Sequence, residues 1–337
     1  MKNIVGNEAL CEKLCLDVLN DKLSHACIIE GARGTGKHSI AKNVAAALAC
    51  QNKHLSDADV PCGTCPACKK VFEGKSPDLI VIGRDDKATL GVDQIRFLKE
   101  DVVTVPNDLD FKTYIIEDAD KMTEQAQNAL LLTLEEPPSF VRFILLCERA
   151  ELLLETIRSR APVLRTEPIP TEQIDKYICT TDRRAAQMKL SSPKEYDELL
   201  ISAKNGIGAA LELLEPKAFA PVKESRALAL DLISCAATSA KDTFLLLPRF
   251  SRKRDEIQKQ LLYVSNAIGD LVLLKKSDDA PLSFFTDRNE AIELCDAHSM
   301  SFLYNFSQAV LDAIDAITRN ANVHLTLIKL FCDANLI

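Results

Sequence analysis

In "EGARGTGKHSI" (30–40), Gly31, Gly34, Gly36 and Lys37 have the types and spacing of a loop that cradles phosphate. Between a strand and a helix, a G-x-x-x-x-G-K loop turns backbone N–H groups inward, and the positive end of the following helix adds to the field. Thr35 lies inside that cradle. His38 breaks the pattern: Mg²⁺ takes hard oxygen ligands in a near-octahedral array, and an imidazole nitrogen is a poor substitute for a Ser or Thr hydroxyl. Ser39 does not replace it, because one step along a helix rotates a side chain by about 100°.

"YIIEDADKM" (114–122) ends a predicted strand, where P-loop ATPases place an Asp near Mg²⁺ and then a Glu that orients water. Here the order is Glu117 then Asp118. The longer carboxylate falls where a compact one is needed, and the shorter where reach is needed. Both changes weaken hydrolysis. Without hydrolysis, the pair reads as a solvated acidic strand end.

"CQNKHLSDADVPCGTCPAC" spaces Cys50, Cys62, Cys65 and Cys68 as C-x11-C-x2-C-x2-C. Thiolates two residues apart on a Gly/Pro turn can converge on one tetrahedral Zn²⁺, and a closed four-sulfur shell leaves no position for a reactive water. The expectation is a structural site, with His54 as the alternative to Cys50 for the fourth ligand. Cys27, inside a strand, and Cys147, at the end of another, read as small buried apolar groups. His25 is no base for Cys27, since two residues along one strand is weak grounds for a pair.

These residues need a scaffold. Up to residue 168, short apolar runs alternate with helical periodicity, which predicts an α/β domain with a parallel sheet and covering helices. The strands are "ACIIE" (26–30), "DLIVI" (78–82), "TYIIE" (113–117), "RFILLC" (142–147) and "PVLR" (162–165); the helices include 37–49, 92–101 and 123–135, the last capped by Thr123 and closed by Pro137 and Pro138. After residue 168 only helical spacing remains, over 171–179, 182–190, 194–203 and 207–214. "EPKAFAP" (215–221), with two prolines, reads as a linker, and the helical pattern beyond it breaks near 275–281. Three domains are expected: 1–168, with an insertion at 50–68; 169–216, small and helical; and 217–337, all-α.

The chain has 337 residues, 47% of them apolar and none Trp, enough for substantial aliphatic cores. A formal charge of −8 opposes independent nucleic-acid binding, which needs a dense basic surface, and favours a protein partner. Arg252-Lys253-Arg254 reads as a solvated helix face. The first residues carry scattered charges and no apolar core, unlike a secretory leader, and no uncharged run approaches the roughly 18 residues of a membrane span. With no export signal, the twelve cysteines read as reduced thiols or metal ligands inside the cell.

"SHACIIEGARGTGKHSIAKNVAAALAC", the cysteine cluster, "YIIEDADKMTEQAQNALLLTLEEPP" and "FILLCERAELLLETIRSRAPVLR" together resemble the AAA+ clamp-loader family of bacterial DNA polymerase III, and most closely its delta-prime branch. The resemblance is specific up to about residue 170, and beyond 220 it rests on length and helical character. It implies a P-loop AAA+ domain, a helical lid and an all-α collar. Through the collar, five subunits (gamma/tau and delta among them) would close a ring that opens the sliding clamp and sets it on primer-template DNA, in the bacterial cytoplasm and at the nucleoid during replication.

The family also has a Ser-Arg-Cys motif whose arginine reaches a neighbour's ATP; here Ser159-Arg160-Ala161 keeps the arginine, so that role passes to Arg160. His38, Glu117/Asp118, Cys147/Glu148 in place of a γ-phosphate sensor, Ala161, and Gly208 in place of a lid arginine all depart from the pattern of an active subunit. The resemblance therefore implies a mainly non-hydrolysing stator whose degenerate nucleotide site leaves Mg²⁺–ATP binding open and, despite the holoenzyme's name, no polymerase site. Its rivals are an active gamma/tau-type ATPase subunit and a zinc-stabilised scaffold unconnected with replication.

Overall fold

The computed structural model describes residues 4–53, 60–84, 89–204, 206–236 and 240–336. The chain divides into two compact units, Met1–Tyr177 with Asn205–Ala209, and Ile178–Lys204 with Ala210–Ile337.

The first unit begins α1 (Glu8–Leu19), β1 (Ala26–Glu30), α2 (Lys37–Ala49), α3 (Pro66–Phe72), β2 (Leu79–Ile82), α4 (Val92–Asp101) and β3 (Lys112–Ile116). It continues α5 (Glu124–Glu135), β4 (Val141–Cys147), α6 (Glu155–Arg158) and β5 (Val163–Arg165). All strand pairs are parallel, in the order β2-β3-β4-β1-β5. Alternation along the strands splits the core in two. Cys27, Ile29, Ile115, Ile144 and Leu146 face α1, α2 and α3, whereas Ala26, Ile28, Tyr114, Ile116, Phe143 and Leu145 face α4, α5 and α6. Each large aliphatic side chain buried this way contributes about 1.5–3 kcal/mol. The run Ala45–Ala47 brings α2 close against the sheet, all three residues being buried. Thr123 caps α5, its Oγ1 accepting from the Ala126 N–H at 3.2 Å.

Beyond β5 come α7 (Thr171–Thr181), α8 (Arg183–Ser191), α9 (Pro193–Ser202), α10 (Ile207–Leu213) and α11 (Pro216–Ala236). They are followed by α12 (Ala240–Leu245), α13 (Arg254–Leu274), α14 (Arg288–Ala297), α15 (Met300–Thr318) and α16 (Val323–Leu336). Leu228, Leu232, Ile268, Phe306 and Phe331 meet in the core of the second unit. Asp270, 1% exposed, fixes the turn before α14 by accepting from the N–H groups of Ser283, Phe284 and Phe285.

The expected linker at 215–221 is helix instead, forming the start of α11. Pro216 occupies the first helical position, where a missing N–H costs nothing, and Pro221 gives up one intrahelical bond. Burial of Phe219, 5% exposed, and the packing of the rest of this 21-residue helix offset that loss. The expected break near 275–281 matches the gap between α13 and α14. Among the described residues no helix is long and apolar enough to cross a membrane.

Candidate functional site

The glycine loop leaves the end of β1 beside β4, where the Gly31 N–H donates to Cys147 O at 3.1 Å. Gly34 and Gly36 have φ of 84° and 89°, the left-handed region open to glycine, and Gly36 starts α2. Thr35 Oγ1 donates to Ala32 O at 2.8 Å and lies 2.9 Å from Thr166 Oγ1. Lys37 turns back on the loop, its ammonium donating to Gly31 O at 2.6 Å and Ala32 O at 2.8 Å. Burial pulls its pKa below the usual lysine value, while Glu148, Cys147, Asp120 and Asp118 push it back.

The acidic pair is engaged by bases. Glu117 Oε1 lies 2.6 Å from His38 Nδ1, so the residue in the hydroxyl position holds the first carboxylate. Asp118, at φ 48°, accepts from Arg84 Nε at 2.8 Å. The side chains of both pairs are partly exposed, 45% and 40% for His38–Glu117 and 30% and 45% for Arg84–Asp118, so each carboxylate has a neighbour to leave before it can ligate a metal, through a contact that solvent screens. His38 in the hydroxyl position and the order Glu117 then Asp118 depart from the oxygen donor set of an ordinary Mg²⁺–nucleotide centre.

Three features were not visible in the sequence. Arg84 follows β2, and only the pairing of Ile82 with Ile116 brings it opposite Asp118. The start of α10 lies against the loop: the Gly208 N–H donates to Gly34 O at 3.4 Å, and a Cβ on Gly206 would lie 2.7 Å from Arg33 O. The third is Asp120, 8% exposed, whose Oδ2 has no hydrogen-bond partner among the described residues.

Arg160 follows α6 and donates to Glu135 Oε1 at 2.7 Å and Thr156 O at 2.9 Å. Its side chain is 35% exposed and that of Glu135 45%, so solvent screens the pair and it constrains the guanidinium little. Ala161 is fully buried and Cys147 is 1% exposed, whereas Glu148 is exposed. Burial pushes the Cys27 and Cys147 thiols up to about 12, as expected of inert core cysteines. In the basic run, Lys253 pairs with Glu256, and Arg254 donates to Ile317 O and Asn320 O at the end of α15.

The cysteine cluster forms where α2 ends and α3 begins. Cys50 follows α2, and Cys65 caps α3, its sulfur accepting from the Cys68 N–H at 3.4 Å. The sulfurs of Cys50, Cys62, Cys65 and Cys68 lie within 4.8 Å of one another. Zn–S bonds of about 2.3 Å place tetrahedral sulfurs roughly 3.8 Å apart, so a small contraction would close the four around one ion. The cluster could hold a metal, and its all-sulfur donor set suits zinc. His54 lies outside the described residues.

The sheet order, with a glycine loop at the end of β1 and an acidic pair at the end of β3, defines a P-loop domain of the AAA+ class. A family model described as "DNA polymerase III, delta subunit" matches residues 6–170, just under half of the chain, and over that span the chain is similar to the clamp-loader subunits of DNA polymerase III. The DNA polymerase III subunit tau of Bacillus subtilis is 39% identical over 215 residues, covering 64% of this chain and 37% of that protein. Subunit delta' of the same organism is 34% identical over 212 residues, covering 63% of this chain and 59% of that one. The chain therefore spans less than two thirds of either relative. The structure of a DNA polymerase III gamma-subunit-related protein from Thermotoga maritima aligns over 97% of this chain and 98% of that one, at 20% identity and a TM-score of 0.46.

Proposed function

We propose that this chain is a delta-prime-type stator of a DNA polymerase III clamp loader. In this reading it braces a ring with gamma/tau and delta subunits, helps set the sliding clamp on primer-template DNA, and hydrolyses little or no ATP itself. The supporting observation is the engagement of the acidic pair, Glu117 by His38 and Asp118 by Arg84. Lys37 and Gly31, Gly34, Thr35 and Gly36 keep the form of a nucleotide loop. Zinc, held by Cys50, Cys62, Cys65 and Cys68, would lock the end of α2 to α3 as a structural ion. Residues 169–216 act as the lid and 217–337 as the collar, in the cytoplasm and at the nucleoid during replication.

Arg160 supplies the chemistry in trans. A planar, permanently charged guanidinium stabilises charge spreading over a transferred phosphoryl group, and an arginine finger is worth about 10³–10⁵ in rate where it has been measured. Its exposed partner Glu135 keeps it soluble and within reach of a neighbour. The test is ATP turnover by a reconstituted loader carrying Arg160→Ala. Loss of turnover at the adjoining subunit, with assembly intact, is the expected result, and unchanged turnover would remove the role.

The greater identity to tau favours a second reading, an active gamma/tau-type ATPase. Turnover by the isolated chain that Lys37→Ala abolishes would select it.

A further inference from the structure

Cys62 differs from the other three sulfurs of the cluster. Cys50, Cys65 and Cys68 are 1%, 7% and 0% exposed, whereas Cys62 is only half-buried. It also accepts several hydrogen bonds, from Asn52 Nδ2 at 3.5 Å, Thr64 Oγ1 at 3.6 Å and the Cys65 N–H at 3.4 Å. The amide bond belongs to the turn itself, but the other two are side-chain choices. Asn52 approaches from the segment after α2, and Thr64 from the turn between Cys62 and Cys65.

We propose that Asn52 and Thr64 are positioning residues for the metal centre, covering the one ligand that solvent reaches and setting how slowly the site yields its ion to thiol-directed reagents. The proposal rests on reading the cluster as a zinc site. A thiolate accepting N–H and O–H donors carries less electron density on sulfur and is a weaker nucleophile. Four thiolates around Zn²⁺ leave a net charge of about −2, and such donors spread it while fixing the sulfur's direction. On Cys50, Cys65 and Cys68 burial gives that protection; on half-buried Cys62 these two side chains add to the turn's own N–H donors.

N-ethylmaleimide is the probe, added to the zinc-loaded full chain with a colorimetric zinc chelator present. A sulfur lone pair adds to the maleimide double bond and forms C–S, the displaced π electrons take a proton from water at the neighbouring carbon, and the Zn–S bond is lost. The resulting thioether is too weak a ligand to hold the ion. Peptide mapping is expected to find Cys62 alkylated first. Zinc release is expected to quicken several-fold, up to about tenfold, in Asn52→Ala and in Thr64→Val, with starting zinc content and helicity unchanged. Thr64→Ser, which keeps the hydroxyl, should release at the wild-type rate. First alkylation at Cys50, Cys65 or Cys68, or wild-type release rates from zinc-loaded Asn52→Ala and Thr64→Val, would overturn the proposal. A wild-type chain that purifies and reconstitutes without zinc would instead sink the reading of the cluster beneath it.

Discussion

Replacing Gly206 with Ala should loosen the nucleotide loop, and the size of the effect follows from what a new Cβ would meet. It would lie 2.7 Å from Arg33 O and 3.0 Å from both Gly34 C and Gly34 Cα, all of them backbone atoms that cannot rotate away. Forced overpacking of this kind costs about 1–3 kcal/mol. For a unit of this size, 1 kcal/mol moves a melting temperature by roughly 2–4 °C, so a fall of about 2–12 °C is expected in its calorimetric transition. Gly208→Ala is the internal control: its Cβ would meet Gly34 Cα at 3.5 Å, an ordinary contact, and alanine suits the helical α10 better by up to about 1 kcal/mol. Amide hydrogen exchange should rise across residues 31–36 in Gly206→Ala alone. A Gly206→Ala protein that melts and exchanges like wild type, or a Gly208→Ala protein equally damaged, would refute the contact.

Cys68→Ser should abolish zinc retention measured by elemental analysis, and a strong chelator should lower the wild-type melting temperature without affecting that variant. Asp78, fully buried, accepts from the N–H groups of Asn107, Asp108 and Leu109 at 2.7, 2.7 and 2.9 Å; Asp78→Ala strands those donors and should cost about 2–4 kcal/mol in urea unfolding. The Glu30 carboxyl is held below its ordinary range chiefly by the Ala150 N–H, against some burial and with help from Arg165. A depressed carboxylate stabilises the fold above its unfolded pKa and loses that contribution as pH falls through the folded value. The stability gap between wild type and Glu30→Gln should therefore hold at neutral pH and close below about pH 4.

The local pattern carried much of the fold. Short apolar runs marked all five strands within a residue or so, and Thr123 marked the start of α5, because strand burial and capping depend on neighbours in sequence. The loop at 31–37 and the spacing of the four cysteines were legible for the same reason. What stayed hidden depends on distant pairing. Arg84 meets Asp118 only because β2 and β3 are neighbours in register, and residues 206–209 reach Gly34 across some 170 positions of chain. Pro221 misled for a different reason. Proline is a local signal against helix, and in α11 the tertiary burial of Phe219 and Leu228 outweighs it.

The proposed stator role has His38 and Arg84 hold the acidic pair away from catalysis while Arg160 serves a neighbour. Its most direct test is magnesium-dependent phosphate release by the purified chain alone, beside Lys37→Ala. Release no faster than the Lys37→Ala background is expected. Steady turnover well above that background, lost in Lys37→Ala, would contradict it.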